Sequence, residues 1–269
     1  MKLLDPLAVA PFKVPPGTQP QLAAWLDSHG WPIELTPMTM EHADYWDVQV
    51  APTVKRIEFE RLVGIRPGAQ PRADAYWPYT WRTLMRLFKA IRTVPSGPSP
   101  LTLNPTEPQL WAVLAPGNGP KPVPIGMLLG LTGLALPPGA PAGNHHFAWL
   151  LTAAPEDHLL SQGIPPTLAL GRVLLDLVIQ ISLASGTFGR TLLHADPRGG
   201  PGLMVFYQRS LMQLLDPAVA PNISTKRRND GRYFYFDESH AGIFSMQFHD
   251  FRRGQLGAVP QLASPARVR

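Results

Sequence analysis

The amino-acid sequence predicts an α/β fold in which helices flank a central sheet. Three observations in residues 167–213 support this prediction. A long apolar segment of helical period comes first, a tight glycine turn and a short apolar strand follow, and a Gly-Pro loop then leads into a second amphipathic helix. A strand enclosed between two helices is typical of an α/β sheet and not of a helical bundle.

The first helix of this stretch is predicted to lie between other layers of the protein. Its polar residues Arg172, Asp176 and Gln180 recur every four positions, and nearly everything between them is apolar. One narrow polar stripe on an apolar cylinder is typical of a helix that is buried on most sides. Glycines are expected to end this helix, and residues 191–195 then have the character of a buried strand.

Two segments resemble the cofactor-binding motifs of a known superfamily. Residues 169–175 (ALGRVLL) lie over the motif R/Q-x-x-G-x-G/A with its two following leucines, and residues 206–209 (FYQR) lie over the end of the motif N-x-x-A-x-x-F/L-Y. In these segments the chain resembles a divergent member of the GNAT superfamily of acyl-CoA-dependent N-acyltransferases. The positions that depart from the motifs are Pro166, Ala169, Gly200 and Leu203.

This resemblance implies a fold, a co-substrate and a set of binding residues. The implied fold is a GNAT-like mixed, mostly antiparallel central sheet flanked by helices. The implied co-substrate is acetyl-CoA or another acyl-CoA, with no metal. By resemblance, the pantetheine arm would lie along the main chain of Leu151, Thr152 and Ala153. The pyrophosphate would lie at the first turn of the long helix, on Ala169, Leu170, Gly171 and Arg172.

The order of the predicted elements matches this family from about residue 33 to residue 251. We expect a Pro-rich N-terminal extension with a short helix (residues 1–32), a GNAT-like acyltransferase domain (33–253) and a disordered tail (254–269). The predicted elements of the domain are a strand at 33–35, a capped helix to about Val63, a helix at 76–93, strands at 109–114, 123–131 and 145–152, the long helix, the strand at 191–195, the second amphipathic helix, and a closing hairpin of strands 232–236 and 244–251.

The composition excludes several classes of protein. Of the 269 residues, 45% are hydrophobic and 16% are charged, which is typical of a globular domain and not of a disordered chain. The net charge of +5 is compatible with anionic ligands such as CoA phosphates or nucleic acid. Without cysteine there are no disulfides, thiolate metal sites or cysteine nucleophile. The apolar stretches are too short to span a bilayer, and the N-terminus makes a poor signal peptide, so we expect a cytoplasmic protein without a membrane partner.

Two side chains near the motifs are candidates for cofactor chemistry. Arg172 would lie in the first turn of its helix, where a cation opposes the helix dipole. A phosphate contact would offset this, and so would an ion pair with Asp176 one turn further on. Tyr207 corresponds to the family's general acid, a phenol that gives its proton to the departing CoA thiolate. The alternative is a core tyrosine whose hydroxyl bonds to water or to a carbonyl.

A base would have to accept a proton from the incoming ammonium group, and imidazole is suited to this at neutral pH. His145 and His146 are neighbours on a predicted strand, so they point to opposite faces and cannot form a metal pair. His146 and His194 are the candidate bases, because either one could reach an acceptor pocket. Deprotonation through water, without a dedicated base, is the alternative.

Several functional interpretations follow. The expected partners are an acyl-CoA and an amine acceptor, which is a small molecule, a protein or an aminoacyl-tRNA; the sequence leaves the oligomeric state open. The motif departures favour a second class, a catalytically inactive GNAT-fold binding or regulatory module. A basic run at residues 226–228 motivates a third, a toxin or effector-type acetyltransferase that acts on aminoacyl-tRNA or protein. The Gly-rich loop at residues 196–202 does not match G-x-G-x-x-G and is a weaker phosphate candidate.

Overall fold

The structure, a computed structural model, describes residues 34–93, 108–135, 143–165, 170–219 and 229–252. The predicted N-terminal extension, the basic run at residues 226–228 and the tail lie outside the described residues, so these predictions stay untested. Among the described helices, none is long and apolar enough to cross a membrane.

Seven strands form one sheet in the order β1-β2-β3-β4-β5-β7-β6. The strands are β1 (Glu34–Pro37), β2 (Pro108–Ala115), β3 (Val123–Ala135), β4 (Asn144–Ala153), β5 (Thr191–His194), β6 (Gln213–Leu214) and β7 (Tyr233–Phe236). Every neighbouring pair is antiparallel except β4 and β5, which are parallel. The predicted fold class, a GNAT-like mixed and mostly antiparallel sheet, is thereby confirmed.

Helices cover this sheet. They are α1 (Met40–Tyr45), α2 (Ala51–Leu62), α3 (Trp81–Thr93), α4 (Glu156–Ser161), α5 (Leu170–Ala184), α6 (Gly200–Arg209) and α7 (Glu238–Arg252). A π-helical turn (Trp46–Val50) joins α1 to α2, so the predicted capped helix does continue almost to Val63. The cap is Thr39, whose hydroxyl accepts a hydrogen bond from the backbone N–H of His42.

The long helix α5 is buried as its residue pattern predicts, and its polar stripe faces α7. The Gln180 side-chain amide donates to the Ser245 hydroxyl (2.8 Å), and the Arg172 guanidinium donates to Gln247 Oε1 (2.7 Å). The opposite face packs on the sheet through fully buried side chains such as Leu174. The narrow polar stripe of α5 therefore contacts another helix of the same chain.

The predicted closing hairpin is wrong in its second strand. Residues 238–252 form helix α7, and β7 pairs instead with the two-residue strand β6. The aromatic residues Phe244 and Phe248 alternate with polar neighbours like strand residues, but they are also one helical turn apart, and the core receives them at that spacing. The Asp237 carboxylate accepts from the His240 N–H (2.7 Å), which caps the first turn of α7.

The helix predicted from residue 76 begins only at Trp81, and the chain before it forms a 3₁₀ turn at Ala73–Tyr76. Trp77 precedes a proline, whose ring disfavours helical backbone at the preceding residue, and Trp77 is indeed extended (φ −65°, ψ 130°). The Asp47 carboxylate then accepts from the N–H groups of Trp81 and Arg82 and so fixes the true start of α3. This shift frees residues 71–79 to form a loop over one end of the sheet.

Candidate active site

The parallel strands β4 and β5 separate at one end. Their last paired residues are Ala148 and Leu193, yet β4 continues to Ala153 while β5 ends at His194. The last five residues of β4 therefore have no strand partner on this side. An unpaired strand edge inside a fold offers backbone donors and acceptors to a ligand.

A β-bulge in β4 decides which backbone groups face this open edge. Leu150 pairs with Leu129 and Ala148 with Gly130, so Trp149 is the extra residue. After the bulge the Ala154 N–H donates to Ile125 of β3 (2.8 Å). Because backbone groups alternate in direction along a strand, the N–H and C=O groups of Leu151 and Ala153 face the open edge.

A cavity of about 310 Å³ lies at this opening. Its walls include Leu151, Thr152 and Ala153 of β4, Gly171 at the start of α5, His194 at the end of β5, Tyr207 of α6 and loop residues from Pro71 to Tyr79. A volume near 300 Å³ is at the small end of ligand pockets. The structure thus brings together six of the residues that the sequence analysis selected.

Gly171 brings α5 and α6 close together at the mouth of this cavity. A Cβ atom at position 171 would lie 3.1 Å from Cζ of Phe206, tighter than ordinary van der Waals contact. This close approach sets Phe206, and with it the neighbouring Tyr207, against the first turn of α5. The glycine of the first motif is therefore explained by helix packing.

Tyr207 is a buried phenol on α6, with 7% of its surface exposed. Its ring packs against Phe206 and Phe234 at centroid distances of 5.3 and 5.5 Å. Among the described residues, its hydroxyl has no hydrogen-bond partner. Burial raises the pKa of Tyr207 above its usual value, so the phenol carries its proton throughout the neutral pH range.

His194 lines the same cavity and is held by a carboxylate. Its Nε2 lies 2.9 and 3.1 Å from the two carboxylate oxygens of Asp230, and its ring packs on Tyr233 at a centroid distance of 4.6 Å. The sequence analysis selected His194 but missed Asp230. The Asn-Asp-Gly sequence at residues 229–231 predicts only a turn, and the 36 residues between the two partners conceal the contact.

His146 is not among the residues that line the cavity. It is fully buried, neither ring nitrogen has a hydrogen bond, and burial lowers its pKa to about 3. Its ring packs against Gly130 of β3, where a Cβ atom would lie 2.3 Å from Nε2. The histidine therefore fills space above a glycine in the sheet and stays neutral at physiological pH.

Arg172 also lies away from the cavity wall. Besides its hydrogen bond to Gln247, its guanidinium stands over the rings of Phe244 and Phe248 at 5.5 and 5.4 Å. Leu170 is buried in the core, and Ala169 lies outside the described residues. The guanidinium of Arg172 is thus engaged with α7, and its contact with a phosphate stays a prediction.

An Arg–Asp pair that the sequence analysis missed ties the loop to the open edge of β4. Arg72 donates to Asp74 through Nε (3.0 Å) and Nη2 (2.6 Å), and Nη2 also donates to the Ala153 carbonyl (2.7 Å). The Thr152 hydroxyl donates to the same Asp74 carboxylate. The loop thereby covers the C-terminal end of β4 and uses one of its two free carbonyl groups.

The other side of this loop is held by the turn after β5. Arg198 forms a two-fold contact with Asp196 (3.0 and 2.6 Å) and donates from Nη1 to the Tyr76 carbonyl (2.9 Å). Residues of both the loop and the turn line the cavity. No three of the His, Asp and Glu side chains within the described ranges group in a way that could hold a metal ion.

Glu58 anchors the same loop and gives it a predicted pH dependence. Its carboxylate, 3% exposed, accepts from Arg61, from the Tyr76 hydroxyl (2.6 Å) and from the Arg72 N–H (3.1 Å), and these bonds, the Arg61 contact foremost, lower its pKa to about 2. A depressed folded-state pKa contributes stability above the unfolded value of 4.5, and this contribution is lost as the pH falls toward 2.

We therefore expect the unfolding free energy of the wild type to fall between pH 4.5 and 2, and Glu58→Gln to flatten part of this fall while lowering stability at pH 7. Urea unfolding at a series of pH values measures both quantities. Parallel pH curves for wild type and variant would contradict the assignment. Glu60→Gln serves as the matched control on the same helix.

Comparisons with known proteins find structural similarity at low sequence identity. No family model and no curated protein matches the sequence. One similar solved structure is the AtaTR complex bound with acetyl-CoA, with 13% identity, coverage of 78% of this chain and 96% of that chain, and a TM-score of 0.36. Another is an AtaT toxin mutant bound to the C-terminus of the antitoxin AtaR and acetyl-CoA, with 12% identity, coverage of 51% and 71%, and a TM-score of 0.31.

Proposed function

We propose that the protein is an N-acyltransferase that moves an acetyl or other acyl group from acyl-CoA to an amine by direct attack. One observation carries the proposal. The open edge of β4, the first turn of α5 and the phenol of Tyr207 converge on one cavity. These are the three parts that a thioester-dependent transfer needs: a surface for an extended arm, a helix start for phosphates and a proton donor at the sulfur.

The pantetheine arm would lie along the open edge of β4. It is an extended chain with two amide groups, and it can pair with the N–H and C=O of Leu151 and the N–H of Ala153 as an added strand would. The Thr152 side chain positions the loop through Asp74 and leaves its strand backbone paired with β3. The pyrophosphate would lie at the start of α5, on the main chain of Ala169, Leu170 and Gly171, where N–H groups and the helix dipole favour an anion.

The transfer consists of one nucleophilic exchange and four proton transfers. The ammonium acceptor first gives one proton to a base, and its nitrogen then attacks the thioester carbonyl carbon. The C–N bond forms, the C–S bond breaks, and the sulfur takes a proton from Tyr207. The second proton of the acylated nitrogen restores the Tyr207 phenol through water, and the base releases its proton to solvent.

The base in this proposal is His194. It shares the cavity with Tyr207, whereas His146 is enclosed within the sheet layer. A base of pKa about 3, such as His146, would have little power to take a proton from an ammonium group. The sequence-based candidate His146 is therefore given no role here.

Calorimetric titration with acetyl-CoA tests the cofactor site directly. We expect a dissociation constant on the order of micromolar for the wild type. Arg172→Ala should leave this affinity within about twofold and lower the unfolding free energy by about 1–3 kcal/mol, because its contacts hold α7 on α5.

A tenfold weaker binding by Arg172→Ala would instead assign its guanidinium to a phosphate. If the wild type binds neither acetyl-CoA nor longer acyl-CoAs, the acyltransferase proposal is refuted and a GNAT-fold binding module is favoured. After positive titrations, an acceptor screen would cover small amines, protein amines and aminoacyl-tRNA.

A further inference from the structure

We propose that Asp230 is a positioning residue that holds His194 in the tautomer and orientation required of the base. This inference rests on the proposed acyl transfer for its purpose, but its geometry is independent of it. Both carboxylate oxygens of Asp230 lie within hydrogen-bond distance of His194 Nε2 (2.9 and 3.1 Å). The contact joins the last residue of β5 to the turn that leads into β7.

The carboxylate is itself fixed by its own turn. Asp230 Oδ1 accepts from the backbone N–H of Arg232 (3.1 Å), and the intervening Gly231 has a φ of 74°, a conformation that a glycine adopts without strain. The imidazole also packs against the Tyr233 ring, with an angle of 50° between the two ring planes. The ring is therefore held by the hydrogen bond to Asp230 and by its contact with Tyr233.

The other charged groups around His194 have hydrogen-bond partners of their own. Asp196 lies near it on the turn after β5, but Arg198 takes both Asp196 oxygens. Arg232 directs its Nε to the Ala195 carbonyl (2.7 Å). Asp230 is thus the carboxylate that contacts the ring.

The consequence for chemistry is a defined proton position. In the neutral ring, the Nε2–H donates to Asp230, so the lone pair is on Nδ1. A proton taken from the ammonium acceptor then binds to Nδ1, and the resulting imidazolium is paired with the carboxylate until Nδ1 releases the proton to solvent. Asp230 does not take the proton itself.

Nitrogen-15 NMR of histidine-labelled protein tests this arrangement without any acceptor, with His194→Gln identifying the signal. In the wild type we expect a neutral ring protonated at Nε2. In Asp230→Asn we expect the preference for the Nε2–H tautomer to be lost, because an amide group can donate to Nε2 as well as accept from it. Asp230→Glu should restore this preference, and thermal unfolding verifies that each variant is folded.

Kinetics provide the second readout once an acceptor is known. Asp230→Asn should lower kcat by at least about tenfold, which is part of the 10²–10⁴-fold that a positioned base contributes. Asp216→Asn, which removes a carboxylate that only caps the turn at Ala218, is the matched control.

The same Nε2–H tautomer in wild type and Asp230→Asn, or a neutral wild-type ring protonated at Nδ1, would overturn the inference. This result is distinguishable from a failure of the proposed function. The NMR measurement needs no acyl-CoA, whereas the acyltransferase proposal fails in the calorimeter.

Discussion

Tyr207→Phe is expected to lower kcat by about 10²–10⁴-fold while leaving the affinity for acetyl-CoA within about twofold. The substitution removes only the hydroxyl, and the ring keeps its packing on Phe206 and Phe234. Because this hydroxyl has no partner among the described residues, its loss leaves no buried donor or acceptor unpaired. Steady-state kinetics with calorimetry on the same preparations separate the two effects.

Tyr235→Phe is the matched control for this experiment. Its hydroxyl donates to Gln213 Oε1 (2.7 Å) on the far edge of the sheet, so the substitution costs a hydrogen bond but no activity per folded molecule. An unchanged kcat in Tyr207→Phe would assign Tyr207 to the core alone. Since burial raises its pKa, Tyr207 should not produce an alkaline limb at moderately basic pH.

Phe244→Ala is expected to destabilise the protein by about 3–5 kcal/mol, the usual range for removal of a buried aromatic side chain. Phe244 is fully buried in the layer between α7 and the sheet, where its ring packs against Phe236 and Phe248 at 5.3 and 5.1 Å. It also lies under the Arg172 guanidinium. Urea unfolding monitored by tryptophan fluorescence measures the change.

A comparison of Phe244→Ala with Met246→Ala tests whether residues 238–252 form a helix. In a strand, residues 244 and 246 would point to the same face, and both alanine variants would be costly. In α7 they differ by two helical positions, and Met246 is 70% exposed. We therefore expect Met246→Ala to change stability by less than about 0.5 kcal/mol. Similar losses for the two variants would contradict the helical assignment of residues 238–252.

The local sequence pattern determined those elements for which only one type of secondary structure fits the spacing of the apolar residues. The hairpin of β2 and β3, with its Pro-Gly-Asn-Gly-Pro connection, is observed as predicted, and so are the buried helix α5 and the strand β5. Each combines an apolar run with glycine or proline at its ends, so that no alternative period fits. The same local signals placed Tyr207, His194 and Gly171 on elements that meet at the cavity.

Tertiary structure decided what the pattern leaves ambiguous. The spacing of Phe244 and Phe248 fits a strand as well as a helix. The polar stripe of α5 favours the helix, because its side chains form hydrogen bonds with Ser245 and Gln247 of α7. The bulge at Trp149 likewise depends on pairing with β3 and reverses which groups of β4 face the opening.

The long-range polar contacts were likewise decided by the tertiary structure. Arg72 reaches Ala153 and Asp230 reaches His194 across 81 and 36 residues of sequence. An Arg or Asp in a polar loop has many equivalent partners in solution, and only the folded backbone selects one. The sequence alone therefore determined the fold class and the candidate acid, whereas the orientation of His194 and the placement of the loop at the cavity follow from contacts that exist only after folding.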